Sequence, residues 1–158
     1  MIEFEQIGNF HSPYNDLEGM PIQPAGAVGV PGRVNVLPEY VDGLQDLGGF
    51  SYIFLFYKFH RSSGFDLKIV PFLVSSPRGV FATRAPSRPN PLGMSVVRID
   101  RIDGAIIHVL DIDILDGTPL LDIKPYVLHF DSQGEIRIWW LGEKDNNVAE
   151  HHSDSRFR

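Results

Sequence analysis

A chain of 158 residues, 43% hydrophobic and 22% charged, has room for one domain with a substantial core and lies far from disordered compositions. It has no cysteine, which excludes a disulfide framework, a thiol nucleophile, a zinc–thiolate site and an iron–sulfur cluster. The formal net charge of −6 argues against nucleic acid as a partner, but residues 58–101 carry eight basic and two acidic side chains, a local +6 inside an acidic protein.

No basic start leads into an apolar run after Met1, so no signal peptide is expected. The apolar stretch 50–59 has about half the length a spanning helix needs, so a cytoplasmic protein without membrane contact is the expectation.

In chain order, residues 4–10 read as a first strand. The loop that follows, Pro21-Ile22-Gln23-Pro24-Ala25-Gly26, leads to a second strand over 29–37. Gly26, Gly29 and Gly32 are spaced by three and open no helix, so they are turn glycines and not a dinucleotide fingerprint. One short helix is predicted over 38–47, with Pro38 and Glu39 in its first turn and Gly48 after its end. Residues 50–59 are almost all aromatic or β-branched, as in a strand buried on both faces, and His60-Arg61 stands at its end. Short strands over 67–73 and 79–83 come next.

The loop after them, Thr83-Arg84-Ala85-Pro86-Ser87-Arg88-Pro89-Asn90-Pro91, is the most informative local feature. Three prolines fix their own φ and bias the residues before them toward extended geometry, so Arg84, Arg88 and Asn90 are presented on a stiff backbone. A guanidinium is a planar fork of donors suited to carboxylates and phosphates, and a rigid loop loses less entropy on binding. Strands 94–102 and 105–115 are joined across Asp103-Gly104, a hairpin signal. In the second of them Ile106, His108, Leu110, Ile112 and Ile114 share one parity and predict its buried face, with Asp111 and Asp113 on the other. Asp116-Gly117-Thr118-Pro119 is a turn with a carboxylate and a hydroxyl at its mouth. Asp122 to Tyr126 alternates polar and apolar residues, and a last strand is predicted over 135–140, after a turn at 131–134.

Many short strands, 15 glycines and 12 prolines point to an all-β barrel or sandwich over residues 1–141, with one short helix and long functional loops. The polar segment 142–158 is expected to be a tail. His151-His152 lies in it without the spacing or third ligand of a metal site, so no metal is expected. Neither a serine nucleophile elbow nor a phosphate-cradling loop is present, which removes support from hydrolase and kinase readings.

Several motifs together resemble the TrmO (YaeB, TsaA-like) family. They are Phe10-His11-Ser12-Pro13-Tyr14, Gln23-Pro24, Gly79-Val80-Phe81-Ala82-Thr83-Arg84, Arg88-Pro89-Asn90-Pro91-Leu92-Gly93-Met94-Ser95-Val96, Leu115-Asp116-Gly117-Thr118-Pro119 and Asp122-Ile123-Lys124-Pro125-Tyr126. The resemblance runs from about Glu5 to Tyr126. It implies a single-domain β-barrel that works as a homodimer and transfers a methyl group from S-adenosylmethionine, without a Rossmann-type fold. The implied substrate is N6-threonylcarbamoyladenosine in tRNA, just 3′ of the anticodon, methylated at N6. The implied cofactor contacts are Gln23, Pro24, Ala25, His60, Arg61, Arg84, Met94, Asp116, Gly117, Thr118 and Pro119. Arg88, Asn90, Lys124 and Tyr126 match family motif positions and are the candidates for substrate binding.

The chain departs from the family pattern in two places. Many members have Pro-Arg-Gln-Pro where this sequence has Pro21-Ile22-Gln23-Pro24, and the longer bacterial members continue past the barrel with a further domain. A methyltransferase acting on a small molecule or another RNA, and a non-catalytic S-adenosylmethionine-binding protein, are the alternatives. For the proton lost from N6, Asp116 and His60 are the candidate bases. The substrate's threonyl carboxylate would suit Arg88 if Arg84 faces the cofactor.

Overall fold

The computed structural model describes residues 1–21, 24–72 and 74–141. Its elements in chain order are β1 (Gly8–His11), β2 (Pro31–Val36), β3 (Tyr52–Lys58), β4 (Lys68–Ile69), β5 (Arg78–Gly79), β6 (Leu92–Asp103), β7 (Ile106–Leu110), β8 (Pro119–Pro125) and α1 (Leu128–Asp131). Six strands close into an antiparallel barrel in the order β1-β2-β7-β6-β3-β8, and β4 and β5 form a separate two-stranded ribbon. Closure matters for so short a chain because it leaves the barrel no unpaired edge to protect.

The barrel is filled from alternating positions, as the two-residue period of a strand requires. Phe10, Val34, Ile53, Leu55, Val97, Ile107, Val109 and Leu120 are buried in one cluster. Each such side chain contributes about 1.5–3 kcal/mol by leaving water, so this cluster carries the fold. In β3 only Ile53, Leu55 and Tyr57 point inward. Phe54 and Phe56 lie half-buried on the outer surface, so the strand is buried on one face and not on two.

Other expectations also need correction. The helix over 38–47 is instead a 3₁₀ segment, Pro38–Leu44, followed by a second, Leu47–Gly49. Val41 and Gly43 disfavour α-helix, and the stretch is too short to offset nucleation. Residues 135–140 form no strand, since the barrel closes without them; Trp139–Leu141 is a 3₁₀ turn instead. Residues 79–83 divide between β5 and a 3₁₀ turn, Val80–Ala82. The strand over 67–73 shrinks to β4, and Leu73 lies outside the described residues.

The most consequential difference concerns parity within β7. Ile107 and Val109 are buried while Ile106, His108 and Leu110 are only partly so, the reverse of the sequence expectation. The backbone of Asp111 then turns to φ +70°, and Ile112 and Ile114 become the buried residues. This conformation is costly for a residue with a Cβ, and two contacts hold it. Arg98 donates to both carboxylate oxygens of Asp111, at 2.7 and 3.0 Å, and the Gly29 N–H donates to the same carboxylate at 2.7 Å. The kink resets the alternation by one residue, and Asp113 stands two positions beyond it.

Among the described residues no helix is long and apolar enough to cross a membrane.

Candidate functional site

The motif loops converge at one end of the barrel. The Leu115–Thr118 turn is closed by the Thr118 hydroxyl, which donates to the Leu115 carbonyl at 2.7 Å, and by Gly117 at φ +77°, a conformation few other residues adopt readily. This turn is knitted to the loop after β1. The Asp116 N–H donates to the Tyr14 carbonyl, the Gly117 N–H to the Phe10 carbonyl, and the Ser12 N–H to the Asp116 carboxylate at 3.0 Å. His11 Nδ1 stands 3.5 Å from the same carboxylate oxygen. Two motifs separated by about a hundred residues therefore brace each other.

The arginine loop is braced as well. Arg88 folds back and donates from Nη1 to the carbonyls of Thr83 and Ala85, at 3.0 and 3.3 Å. Ser62 donates to the Pro86 carbonyl, the Phe59 N–H to the Pro91 carbonyl, and Arg61 to the Asn15 carbonyl. Trp140 donates from its indole to the Ala82 carbonyl at 3.2 Å, which lays the last described turn against the same loop.

Between these braced loops lies a cavity of about 1020 Å³. Its wall holds His60, Arg61, Arg84, Arg88, Asn90, Met94 and Thr118 of the sequence candidates, joined by Phe59, Phe81, Asp113 and Trp140. Asp116, Gly117 and Pro119 do not line it; the Asp116 carboxylate serves the brace just described. Lys124 and Tyr126 are not brought to it either. Lys124 pairs with Asp122 at 2.8 Å on the outer face of β8, and Tyr126 packs against Tyr52 and Phe54. Gln23 lies outside the described residues, as does the segment 142–158 with its two histidines. Pro24 and Ala25 are described only as backbone in the 3₁₀ turn Pro24–Ala27.

The basic stretch divides. Arg61, Arg84 and Arg88 face the cavity. Arg98 is spent on Asp111, and Arg101 is paired with Asp100 and Asp103. His60 is held toward its neutral form by partial burial and by the neighbouring cations Arg61 and Lys58. Its imidazole is therefore a hydrogen-bonding group at neutral pH and not a fixed charge.

Sequence reasoning missed a polar chain that begins inside the barrel. Tyr57 is buried on β3, and Gly93 opposite it on β6 makes room for the ring. A Cβ at Gly93 would collide with the Tyr57 ring. The Tyr57 hydroxyl lies 2.9 Å from Ser95 Oγ, and Ser95 donates to Asp113 Oδ1 at 2.7 Å. Ser95 has one hydroxyl proton and gives it to Asp113, so Tyr57 is the donor in the first bond. Burial pushes the Asp113 carboxyl up to about 7, against the opposing pull of the Ser95 hydrogen bond and the nearby Arg84. Burial and the Asp113 charge likewise raise Tyr57, which keeps its proton. Among the described residues no group of three or more His, Asp or Glu side chains is arranged to hold a metal ion.

The signature of the tRNA-methyltransferase O N-terminal domain matches residues 9–132, which include both braced loops and the whole barrel but for Gly8. The chain belongs to the tRNA-methyltransferase O family. Its relatives include a probable S-adenosyl-L-methionine-binding protein of Pyrococcus abyssi, 46% identical over 157 residues, with 99% of this chain and 85% of that one covered. The tRNA (adenine(37)-N6)-methyltransferase of Escherichia coli is 35% identical over 135 residues, covering 79% of this chain and 57% of that one. The crystal structure of TrmO from Pseudomonas aeruginosa superposes with a TM-score of 0.75 at 34% identity, covering 89% of this chain and 62% of that one. The chain thus spans less than two thirds of these two longer family members.

Proposed function

We propose that the chain is an S-adenosylmethionine-dependent tRNA methyltransferase acting on N6 of threonylcarbamoyladenosine beside the anticodon. The observation that carries this reading is the cavity: in a member of this family, the arginine loop, His60-Arg61, Met94 and Thr118 meet around one space. Its volume of about 1020 Å³ is at the upper end for small-molecule sites, which run to roughly 1,000 Å³, and so suits a cofactor together with a modified base.

The residues fit the cofactor's chemistry. Phe59, Phe81, Leu92 and Met94 offer apolar surface, Arg84 suits a carboxylate, and His60 and Thr118 stand where polar groups could be oriented. When bound, the cofactor supplies a methyl group on a cationic sulfur. The protein's own tasks are then alignment, exclusion of water and removal of one proton. Arg84, with the pinned loop around it, fixes the amino-acid end of the cofactor. Arg88 has Nη1 committed to the loop carbonyls, which leaves Nε and Nη2 outside those two bonds for the threonyl carboxylate. Trp140, held on Ala82, covers one side of the space.

The protein acts as a homodimer in this reading. Tyr52 is more than 40% exposed on the outer surface of β3, beside the half-buried Phe54 and Phe56, and supports pairing there. Mass measurement in solution tests this.

The decisive experiment is methyl incorporation from labelled cofactor into tRNA with and without the threonylcarbamoyl group. Transfer only to the modified tRNA is expected. Cofactor binding without transfer would point to a sensor, and transfer to a small molecule with no salt-sensitive tRNA affinity would point to another substrate.

A further inference from the structure

A tyrosine, a serine and an aspartate joined in line at the end of an apolar barrel are not what packing alone would select. Phenylalanine at Tyr57, alanine at Ser95 and a hydrophobic residue at Asp113 would fill the same space without buried polar groups, whose desolvation each hydrogen bond only partly offsets. The arrangement is also supported from outside. The Arg98–Asp111 clamp holds the kink two residues before Asp113, which stands in the cavity wall. Gly93 clears the space in which the Tyr57 ring reaches Ser95.

We infer that Asp113 is the proton acceptor for the methyl transfer proposed above, and that Ser95 and Tyr57 are positioning residues that hold its carboxylate through a directed chain of hydrogen bonds. The inference rests on that functional reading. In the step, Asp113 takes the proton of N6 while the nitrogen's electron pair forms the new N–CH₃ bond. The electron pair of the broken CH₃–S bond stays with sulfur, which goes from sulfonium to thioether. Charge balances, since one carboxylate and one sulfonium are consumed.

The other candidates serve this step less well. The Asp116 carboxylate is occupied by the Ser12 N–H and does not line the cavity. His60 is exposed, with two cations opposing its protonated form. Asp113 has the Ser95 donor fixed on one oxygen, part of its surface open to the cavity, and a carboxyl poised near neutrality, where a general base works best. The charged and titratable groups facing it are Tyr57 on β3, Tyr14 in the loop after β1 and Arg84 in the proline loop, with Ser95 on β6 as the neutral donor. Tyr14 and Tyr57 are both raised and stay neutral, and His60 in the same cavity wall is lowered from its ordinary value, so a transition near pH 7 belongs to Asp113.

The test combines a titration of the cofactor-free protein with kinetics. Carboxyl carbon shifts, assigned by comparison with Asp113→Asn, should show one aspartate with its midpoint near 7. Ser95→Ala, which removes the hydrogen bond favouring the charged form, should move that midpoint upward, and Ser95→Thr should restore it. With threonylcarbamoylated tRNA, kcat should rise with pH to a plateau above the same midpoint. Asp113→Asn should lower kcat by roughly 10²–10⁴-fold while cofactor Kd stays within about threefold. An aspartate signal confined to the ordinary carboxyl range, or turnover surviving Asp113→Asn within about tenfold, would overturn this inference alone. Wild-type protein that transfers no methyl to any tRNA would overturn the functional reading and this inference with it.

Discussion

Replacing Asp113 by asparagine should make the protein more resistant to unfolding at alkaline pH, by an amount the structure allows to be worked out. The carboxyl moves from 3.8 in the unfolded chain to about 7 in the fold, chiefly through burial. The folded protein therefore holds this proton where the unfolded chain has released it, so folding takes up a proton in that window and stability falls as pH rises through it. Each tenfold step in proton affinity is about 1.4 kcal/mol, so between about pH 5 and about pH 8 the wild type loses about 2 to 3 kcal/mol through this one group. Asparagine keeps an acceptor for Ser95 and cannot ionise, so the variant is spared the loss. Urea unfolding of both proteins across that range gives the comparison, since the other titrating groups cancel. A gap between variant and wild type that widens by about 2 to 3 kcal/mol toward high pH is expected. A constant gap would mean that the Asp113 carboxyl titrates as in water, and the account of its burial would be wrong.

Three further outcomes follow from the geometry. Gly93→Ala should cost about 1–3 kcal/mol by driving a methyl group into the Tyr57 ring, and thermal unfolding with tyrosine fluorescence should report both the loss and the displaced ring. Asp116→Asn, which preserves the acceptor for the Ser12 N–H, should leave kcat within about threefold, whereas Asp116→Ala should lower stability by roughly 1–3 kcal/mol; a kcat loss of 10²-fold or more in the asparagine variant would return the proton-accepting role to Asp116. Arg88→Ala should raise KM for threonylcarbamoylated tRNA by about tenfold or more and erase the preference over unmodified tRNA. Equal losses on both tRNAs would reduce Arg88 to a brace of its own loop.

The sequence is a good guide to the barrel because the strand runs over 29–37, 50–59 and 94–102 and the turn at Asp103-Gly104 are local signals that the fold obeys. The arginine loop is equally readable, since three prolines write its path. What escapes is set by distant partners. The reversed φ of Asp111 depends on Arg98, thirteen residues earlier, and on Gly29, so one parity carried through residues 105–115 is right for Ile112 and Ile114 but assigns Ile107 and Val109 to the wrong face. Tyr57 and Ser95 read as ordinary members of their strands because only the β3–β6 register puts them side by side. Asp116 looks like chemistry in a short turn, yet its carboxylate is used by a backbone amide 104 residues away. The apolar residues over 135–140 resemble a strand but meet a barrel with no edge left to extend.

The joint between β1 and β8 pairs only Gly8 with Leu120 and Asn9 with Pro119, whereas β3 and β6 pair along seven positions from Tyr52 to Lys58. Its two strands come from opposite ends of the barrel sequence, so its closure bears the largest loop entropy and comes after the local hairpins. The Ser12–Asp116 brace and the Thr118 turn sit directly on this joint. The cavity is therefore finished in the last act of folding and is the first feature lost when the barrel breathes. Amide exchange at Gly117 and Ser12 should run ahead of that in β3, and a ligand spanning the joint would slow it most there, acting as the clasp that the two strands supply only weakly themselves.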